Sequence, residues 1–100
     1  VEEIFSVQGI DGFMIGPYDL SASMGLPGEL DALEVREAVA TVEEAARRVG
    51  LPAGYHSVSP DPGPALALKE RGYRFLALSV DTIILTRAAG ALLERVREAP

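Results

Sequence analysis

Residues 12–25 read GFMIGPYDLSASMG, and the order of residue types in this stretch decides the fold that the sequence predicts. A short apolar run, residues 13–15, is followed at once by a Gly-Pro pair. Proline cannot donate a hydrogen bond to a neighbouring strand and glycine accepts unusual backbone angles, so this pair ends a strand abruptly. A single carboxylate, Asp19, follows. We expect it either to cap a short helix that starts at Leu20 or to lie at the end of a sheet, where ligands bind.

The composition is that of an ordinary globular domain. Of the 100 residues, 48% are apolar and 24% are charged, which is typical of one small domain or of a piece of a larger one. There is no cysteine, and the net charge is −6. The absence of cysteine excludes a thiolate nucleophile or metal ligand. The negative net charge argues against a nucleic-acid-binding surface, which would need a basic patch. No apolar run approaches the roughly 20 residues that cross a bilayer, and no signal peptide is visible. We expect a cytoplasmic protein.

Helical and strand patterns alternate along the chain. Strands are predicted at residues 12–15, 53–57 and 73–80, and the third is apolar enough to be buried on both faces. The order helix, strand, helix, strand, helix, strand, helix implies parallel strands joined by right-handed crossovers. The fold class is therefore α/β, either a doubly wound sheet or part of a (β/α)8 barrel. A complete barrel needs about 250 residues, so this chain would supply three of its eight strands.

Two carboxylates are predicted to cap helices. Asp31 and Glu34 have the spacing of a capping box at the start of the long helix that ends at Gly50. Asp81, with Thr82 beside it, is expected to cap the final helix.

Polar side chains fall at or directly after each predicted strand. Asp19 follows the first strand, His56 lies near the end of the second, and Asp81 follows the third. Because ligands bind at the carboxyl ends of parallel strands, these residues should gather on one rim. His56 is the only histidine, and it is expected either to be satisfied by a hydrogen bond or to contact a ligand. Ser21 and Ser23 are expected to be caps or turn formers, because no base has a fixed spacing to them.

The run GIDGFMIGPYDLSASMG, with PAGYH and LALSVDTIILTRAA farther along, resembles the HpcH/HpaI aldolase family of phosphoenolpyruvate/pyruvate-type barrels. The resemblance covers nearly the whole chain and implies that residues 1–100 are one partial domain, strands six to eight of the barrel. It implies a lyase that reversibly cleaves a 2-keto-3-deoxy acid to pyruvate and an aldehyde. A divalent metal is implied, Mg²⁺ or Mn²⁺, with Co²⁺ as a further candidate. It also implies a homo-oligomer that exchanges its final helix.

The resemblance assigns roles to four residues. Asp19 matches the metal-binding aspartate of the family, in a Gly-Pro-x-Asp context. The backbone amides of Tyr18 and Asp19 would face the carboxylate of pyruvate, and Gly16 would let the chain approach the ligand closely. His56 would line the aldehyde pocket and contact substrate rather than transfer a proton. No residue of this chain is therefore assigned a catalytic proton transfer.

Several groups that the family uses are missing from the sequence. The second metal carboxylate, a glutamate, and the basic histidine and arginine lie on earlier strands. The chain also starts at Val1, inside a predicted helix, as the C-terminal portion of a longer enzyme would. Two functions stay open: part of a metal-dependent aldolase that is active only with the rest of the barrel, or a non-catalytic fragment or assembly module of the same fold. Among enzymes, a citrate-lyase-like cleavage of an acyl-CoA is the neighbouring alternative.

Overall fold

The computed structural model describes all 100 residues as an alternation of helices and strands. The helices are α1 (Glu2–Phe5), α2 (Pro17–Ser23), α3 (Leu33–Val49), α4 (Pro62–Glu70) and α5 (Asp81–Glu98). The strands are β1 (Phe13–Ile15), β2 (Ala53–Ser57) and β3 (Phe75–Leu78). The predicted alternation is confirmed, with β2 as predicted, with β1 and β3 shorter, and with one further short helix, α2, between β1 and α3. None of the helices combines the length and the apolar character that a membrane crossing requires.

The three strands form one parallel sheet in the order β1-β2-β3. Phe13 pairs with Ala53 between β1 and β2, and Gly54 pairs with Phe75 between β2 and β3. The predicted parallel order is therefore confirmed. Since all three strands run the same way, their carboxyl ends lie at one edge of the sheet.

A small core lies between the sheet and the helices α3 and α4. One buried residue each from β1, α3, α4 and the turn before β3 forms its centre: Ile15, Val39, Leu68 and Tyr73. Val35 on α3 is almost fully buried as well. The buried residues of α3 are thus the face that this helix packs inward. Only 12 of the 100 residues are buried, so much of the apolar surface of the chain stays open.

The expectation that the third strand is buried on both faces is wrong. Phe75 is 41% exposed and Leu78 is 62% exposed. β3 is an edge strand that pairs only with β2, and no layer of this chain seals its second face. The strand carries more apolar surface than these 100 residues can bury. Native proteins normally pair or cover such an edge.

Both predicted side-chain caps are wrong, because each carboxylate lies one residue away from the capping position. α3 begins after Ala32, and no side chain caps it, so Asp31 and Glu34 form no capping box. α5 begins at Asp81 itself and also lacks a side-chain cap. The carboxylate of Asp81 instead accepts a hydrogen bond from the backbone N–H of Thr82 at 2.8 Å.

The final helix, α5, projects from the rest of the molecule. It has 18 residues and none of them is buried, and the molecule measures 62 × 28 × 21 Å. Leu85, Leu92 and Val96 on its apolar side are 64–71% exposed. One ion pair, between Arg87 and Asp61 at 2.8 Å, connects the helix to the segment after β2. The apolar side of α5 therefore has no partner within this chain.

Gly54 in β2 gives a first test of the packing. The ring of Phe75 lies over this glycine, and a Cβ built there would come within 2.1–2.5 Å of three ring atoms. A methyl group can fit only if the ring leaves its place, so Gly54→Ala should lower the free energy of unfolding by about 1–3 kcal/mol. Urea denaturation measures this difference.

Gly90→Ala is the matched control. Gly90 lies in the interior of α5, where a Cβ would meet nothing within 4 Å. Alanine should leave the stability there unchanged or raise it by up to about 1 kcal/mol. Equal losses at both positions would contradict the packing of Phe75 on Gly54.

Candidate functional site

The four residues that the sequence singles out for substrate binding lie together. A cavity of about 250 Å³ at the carboxyl edge of the sheet is lined by Gly16, Tyr18, Asp19 and His56, with Pro17 and Val58 completing its wall. The first four come from the β1–α2 junction and from β2, which are far apart in sequence. Asp81 follows β3 at the same edge, but it does not line this cavity.

Helix α2 positions Asp19. The helix begins at Pro17, directly after the extended Gly16, and Asp19 lies in its first turn. Proline suits this position because the N–H that it lacks would have no partner within the helix. The alternative in which Asp19 caps a helix starting at Leu20 is therefore wrong. A carboxylate in the first turn also lies near the positive end of the helix dipole.

The carboxylate of Asp19 lies close to Gly16. A Cβ built on Gly16 would come 3.0 Å from Oδ2 of Asp19. Any larger residue would crowd the carboxylate, so the missing side chain leaves it room at the rim. That Gly16 also lets the chain approach a ligand stays a prediction.

Ser21 fixes the start of α2 to the loop that follows it. The serine is fully buried, and its hydroxyl donates to the carbonyl of Tyr18 at 2.9 Å and accepts from the N–H of Gly28 at 3.1 Å. The hydroxyl of Ser23 donates to the carbonyl of Leu20 at 2.7 Å. Both serines therefore have local structural roles, in line with their prediction as caps or turn formers.

His56 makes a hydrogen bond to the neighbouring strand segment. Its Nε2 lies 2.8 Å from the carbonyl oxygen of Ser79. A carbonyl oxygen can only accept, so Nε2 carries the hydrogen, and in the neutral ring Nδ1 is then the acceptor nitrogen. The two expectations for this histidine are compatible: the ring is satisfied on one side by the backbone, and it lines the cavity with Asp19.

Ser79 is the residue at this edge that sequence reasoning missed. It is the single non-glycine residue with a positive φ, +52°, and its buried hydroxyl has no hydrogen-bond partner. A left-handed backbone costs about 1–2 kcal/mol for such a residue, and an unpaired buried hydroxyl costs about 1–3 kcal/mol. Backbone strain of this kind concentrates at functional sites. In the sequence, LALSVD reads only as the continuation of a strand.

A larger cavity adjoins the first one. Its volume is about 890 Å³, and it shares Tyr18 and His56 with the smaller cavity. From the rim it extends between α3 and α4 to Val39 and Leu68 of the core. The size lies in the range of small-molecule sites. A ligand of several atoms therefore has room beside Asp19.

Asp19 is the one carboxylate that lines the smaller cavity. Nowhere in the chain do three or more histidine, aspartate or glutamate side chains come together closely enough to hold a metal ion. A hard cation such as Mg²⁺ prefers oxygen ligands and often takes one or two carboxylates, with substrate and water at its other positions. The residues present therefore fit such a cation in part, because Asp19 supplies one ligand.

A second polar cluster lies near the opposite end of the sheet. The hydroxyl of Tyr73 donates to the carboxylate of Glu43 at 2.5 Å, and Arg71 pairs with the same carboxylate. Burial first, and then the hydrogen bond to Glu43, raise the pKa of Tyr73 above its ordinary value. Burial likewise raises the pKa of Tyr55, whose ring packs edge-on against Tyr73 at 5.3 Å. Both tyrosines are therefore protonated at neutral pH, and their rings pack against each other.

Comparison with known proteins agrees with the geometry. The sequence model of the HpcH/HpaI aldolase/citrate lyase family matches residues 1–88. A hydroxypyruvate/pyruvate aldolase from Paraburkholderia phytofirmans is 35% identical over 97 residues, which is 97% of this chain and 36% of the relative. A 2-keto-3-deoxy-L-rhamnonate aldolase from Shigella dysenteriae is 41% identical over 88 residues, which is 88% of this chain and 32% of the relative. The chain thus spans about a third of the length of these curated relatives.

Solved structures show the same arrangement. A crystal structure of an HpcH/HpaI aldolase/citrate lyase family protein from Burkholderia cenocepacia superposes with a TM-score of 0.87 and 34% sequence identity. The match covers 97% of this chain and 37% of that protein. The α/β fold with its three parallel strands is therefore that of a known structural family.

The strain at Ser79 can be measured directly. Glycine adopts a φ of +52° at no steric cost and removes the unpaired hydroxyl. We expect Ser79→Gly to raise the free energy of unfolding by about 1 kcal/mol, after allowing for the larger backbone entropy of glycine. Urea denaturation gives the value. Ser23→Gly, the same change in a helix, should lower it by about 0.5–1 kcal/mol. A loss of stability in both variants would show that Ser79 is not strained.

Proposed function

This chain belongs to the HpcH/HpaI aldolase/citrate lyase family, and we propose that it forms strands six to eight of a (β/α)8-barrel aldolase. The observation that carries the proposal is the cavity that Asp19 and His56 share at the carboxyl edge of a parallel sheet. Barrels of this kind bind their substrates at that edge. The open edge of β3 is consistent with a sheet that continues into further strands.

The proposed reaction is the reversible cleavage of a 2-keto-3-deoxy acid to pyruvate and an aldehyde, by a cytoplasmic lyase. Its support lies in the names of two relatives, a hydroxypyruvate/pyruvate aldolase and a 2-keto-3-deoxy-L-rhamnonate aldolase. These names favour an aldolase over a citrate-lyase-like enzyme that cleaves an acyl-CoA. The proposed partners are accordingly small keto acids and aldehydes, and neither nucleic acid nor membrane.

Each residue of the cavity has a proposed task. Asp19 would hold a divalent cation, Mg²⁺ or Mn²⁺, with Co²⁺ as a further candidate. Such a cation supplies positive charge to stabilise the negative charge that develops on the pyruvate fragment as the carbon–carbon bond breaks. The backbone N–H groups of Tyr18 and Asp19, in the first turn of α2, would donate to the carboxylate of pyruvate. Gly16 would keep the backbone accessible to the ligand, and His56 would contact the aldehyde.

We infer that these 100 residues do not turn over substrate alone. The cavity contains one carboxylate, and charge count and site rigidity set the affinity for a divalent cation. No basic side chain of this chain lines the smaller cavity apart from His56. The remaining carboxylate and basic groups would have to come from additional strands. Without those strands, the chain would be a non-catalytic fragment or assembly module of the same fold.

We also propose that α5 packs against a second copy of the chain, as an exchanged final helix. The helix has no buried residue, while Leu85, Leu92 and Val96 expose an apolar surface. A monomer seldom leaves such a surface uncovered. Exchange of an identical element between copies is a low-cost route to a symmetric oligomer.

Asp19→Ala tests the proposed metal site in the enzyme with all its strands. We expect the rate of pyruvate release from a 2-keto-3-deoxy acid in Mg²⁺ or Mn²⁺ to fall by about 100-fold or more, because a ligand to the cation is lost. Calorimetry should show the matching loss of metal affinity. Because Asp19 is exposed, the free energy of unfolding should change by less than about 0.5 kcal/mol.

Asp11→Ala is the control for Asp19→Ala. Asp11 is an exposed carboxylate just before β1, at the other end of that strand. It should leave both activity and metal affinity unchanged. Full activity and unchanged metal affinity in Asp19→Ala would refute the assignment.

The exchanged helix predicts a solution mass above that of a monomer. Replacing Leu85, Leu92 and Val96 together by glutamine should remove the apolar surface of α5, and sedimentation should then show a smaller species. Leu66→Gln, which changes an exposed leucine of α4 (57% exposed), should leave the mass as it is. An unmodified protein that sediments as a monomer would contradict the exchange.

A further inference from the structure

We propose that Ser79 is a positioning residue for His56. Its main-chain carbonyl holds the imidazole so that Nδ1 is the hydrogen-bond acceptor offered to a hydroxyl group of the substrate. The contact joins Nε2 of His56 to the carbonyl oxygen of Ser79 at 2.8 Å. The proposal rests on the proposed function in one respect, that His56 contacts the aldehyde.

The backbone of Ser79 makes this contact available. β3 follows the register of β2 as far as the pair Leu78 and Ser57. The N–H of Ser79 still donates to the carbonyl of Ser57 at 2.7 Å, but its φ of +52° breaks the extended conformation. The carbonyl that follows accepts from the side chain of His56 instead of continuing the ladder. Because of its left-handed backbone, the carbonyl of Ser79 does not continue the hydrogen bonds of the sheet. It binds the side chain of His56, which lines the smaller cavity.

The contact belongs to the main chain of Ser79 and not to its side chain. The hydroxyl is buried and makes no hydrogen bond, so it cannot be what holds the imidazole. A serine in a conformation that favours glycine is held there by its surroundings. Variants at this position can therefore separate the backbone from the side chain: glycine keeps the conformation, and a β-branched residue opposes it.

The orientation of the ring decides which ligand groups His56 can bind. With Nε2 committed to the carbonyl, the neutral ring offers only an acceptor at Nδ1. Nδ1 has no protein partner, and it is not sealed from solvent. The carboxylate of Asp19, which also lines the smaller cavity, is likewise an acceptor. An aldehyde with a hydroxyl group can donate to Nδ1, whereas an alkyl aldehyde cannot.

Nuclear magnetic resonance tests the positioning without any substrate. The protein has one histidine, so a single set of imidazole signals reports on this contact. In the unmodified protein and in Ser79→Gly, the proton on Nε2 should be visible and should exchange slowly with water. In Ser79→Val it should exchange at least about tenfold faster, because valine opposes a positive φ. Equal exchange in all three proteins would overturn the proposal.

Kinetics in the direction of synthesis test the consequence for substrate. Glycolaldehyde and propionaldehyde differ by a hydroxyl group in place of a methyl group, and each is combined with pyruvate in the enzyme with all its strands. Ser79→Val should raise the KM for glycolaldehyde by about tenfold, with kcat and the KM for propionaldehyde unchanged, since one neutral hydrogen bond is lost. Ser79→Gly should behave as the unmodified enzyme.

Two results would overturn the proposal: an equal rise of KM in the glycine and valine variants, or an equal rise for both aldehydes. Should Ser79→Val fail to fold, Ser79→Ala supplies the same test, with a smaller shift expected in the same direction. An unmodified enzyme that shows no aldol activity would refute the proposed function, and the exchange of the proton on Nε2 would still decide the positioning of His56.

Discussion

The pairing of β2 with both of its neighbours is the constraint on which the rest of the structure depends. Phe13 is aligned with Ala53 on one side, and Gly54 with Phe75 on the other. This register brings the β1–α2 junction, the end of β2 and the turn after β3 to one edge. A slip of one residue would turn His56 to the opposite face of the sheet. The glycine in β2 is part of the constraint, because the ring of Phe75 occupies the space of its missing side chain.

Much of this arrangement could be predicted from the sequence, because the responsible signals are local. The alternation of elements, the bounds of β2 and the apolar stripe of α3 follow from patterns a few residues long. The shared cavity of Asp19 and His56 follows from one further rule, that parallel strands end at the same edge. The sequence therefore sufficed to place four residues from two distant segments together.

The features that could not be predicted depend on finer or more distant causes. The capping predictions at Asp31 and Asp81 failed by one residue each, and helix boundaries are less sharply encoded than the helices themselves. The apolar sequence of β3 indicated a buried strand. Burial also depends on which other elements cover the strand, and these 100 residues do not cover both faces of β3. The left-handed backbone of Ser79 arises where the ladder with β2 ends, and its contact with His56 spans 23 positions of sequence. No local pattern encodes it.

The projecting helix α5 has a consequence for how this protein folds. A helix of 18 residues with no buried residue, joined to the rest of the chain by one exposed ion pair, is only marginally stable in water, because nucleation is costly and most helical stability in proteins comes from packing of an apolar face. If the proposed second copy of the chain supplies the surface that buries α5, ordering and burial of this helix are a single event. Its helical content would then rise with protein concentration. Dilution would melt this helix first, while the sheet and α3 keep their structure.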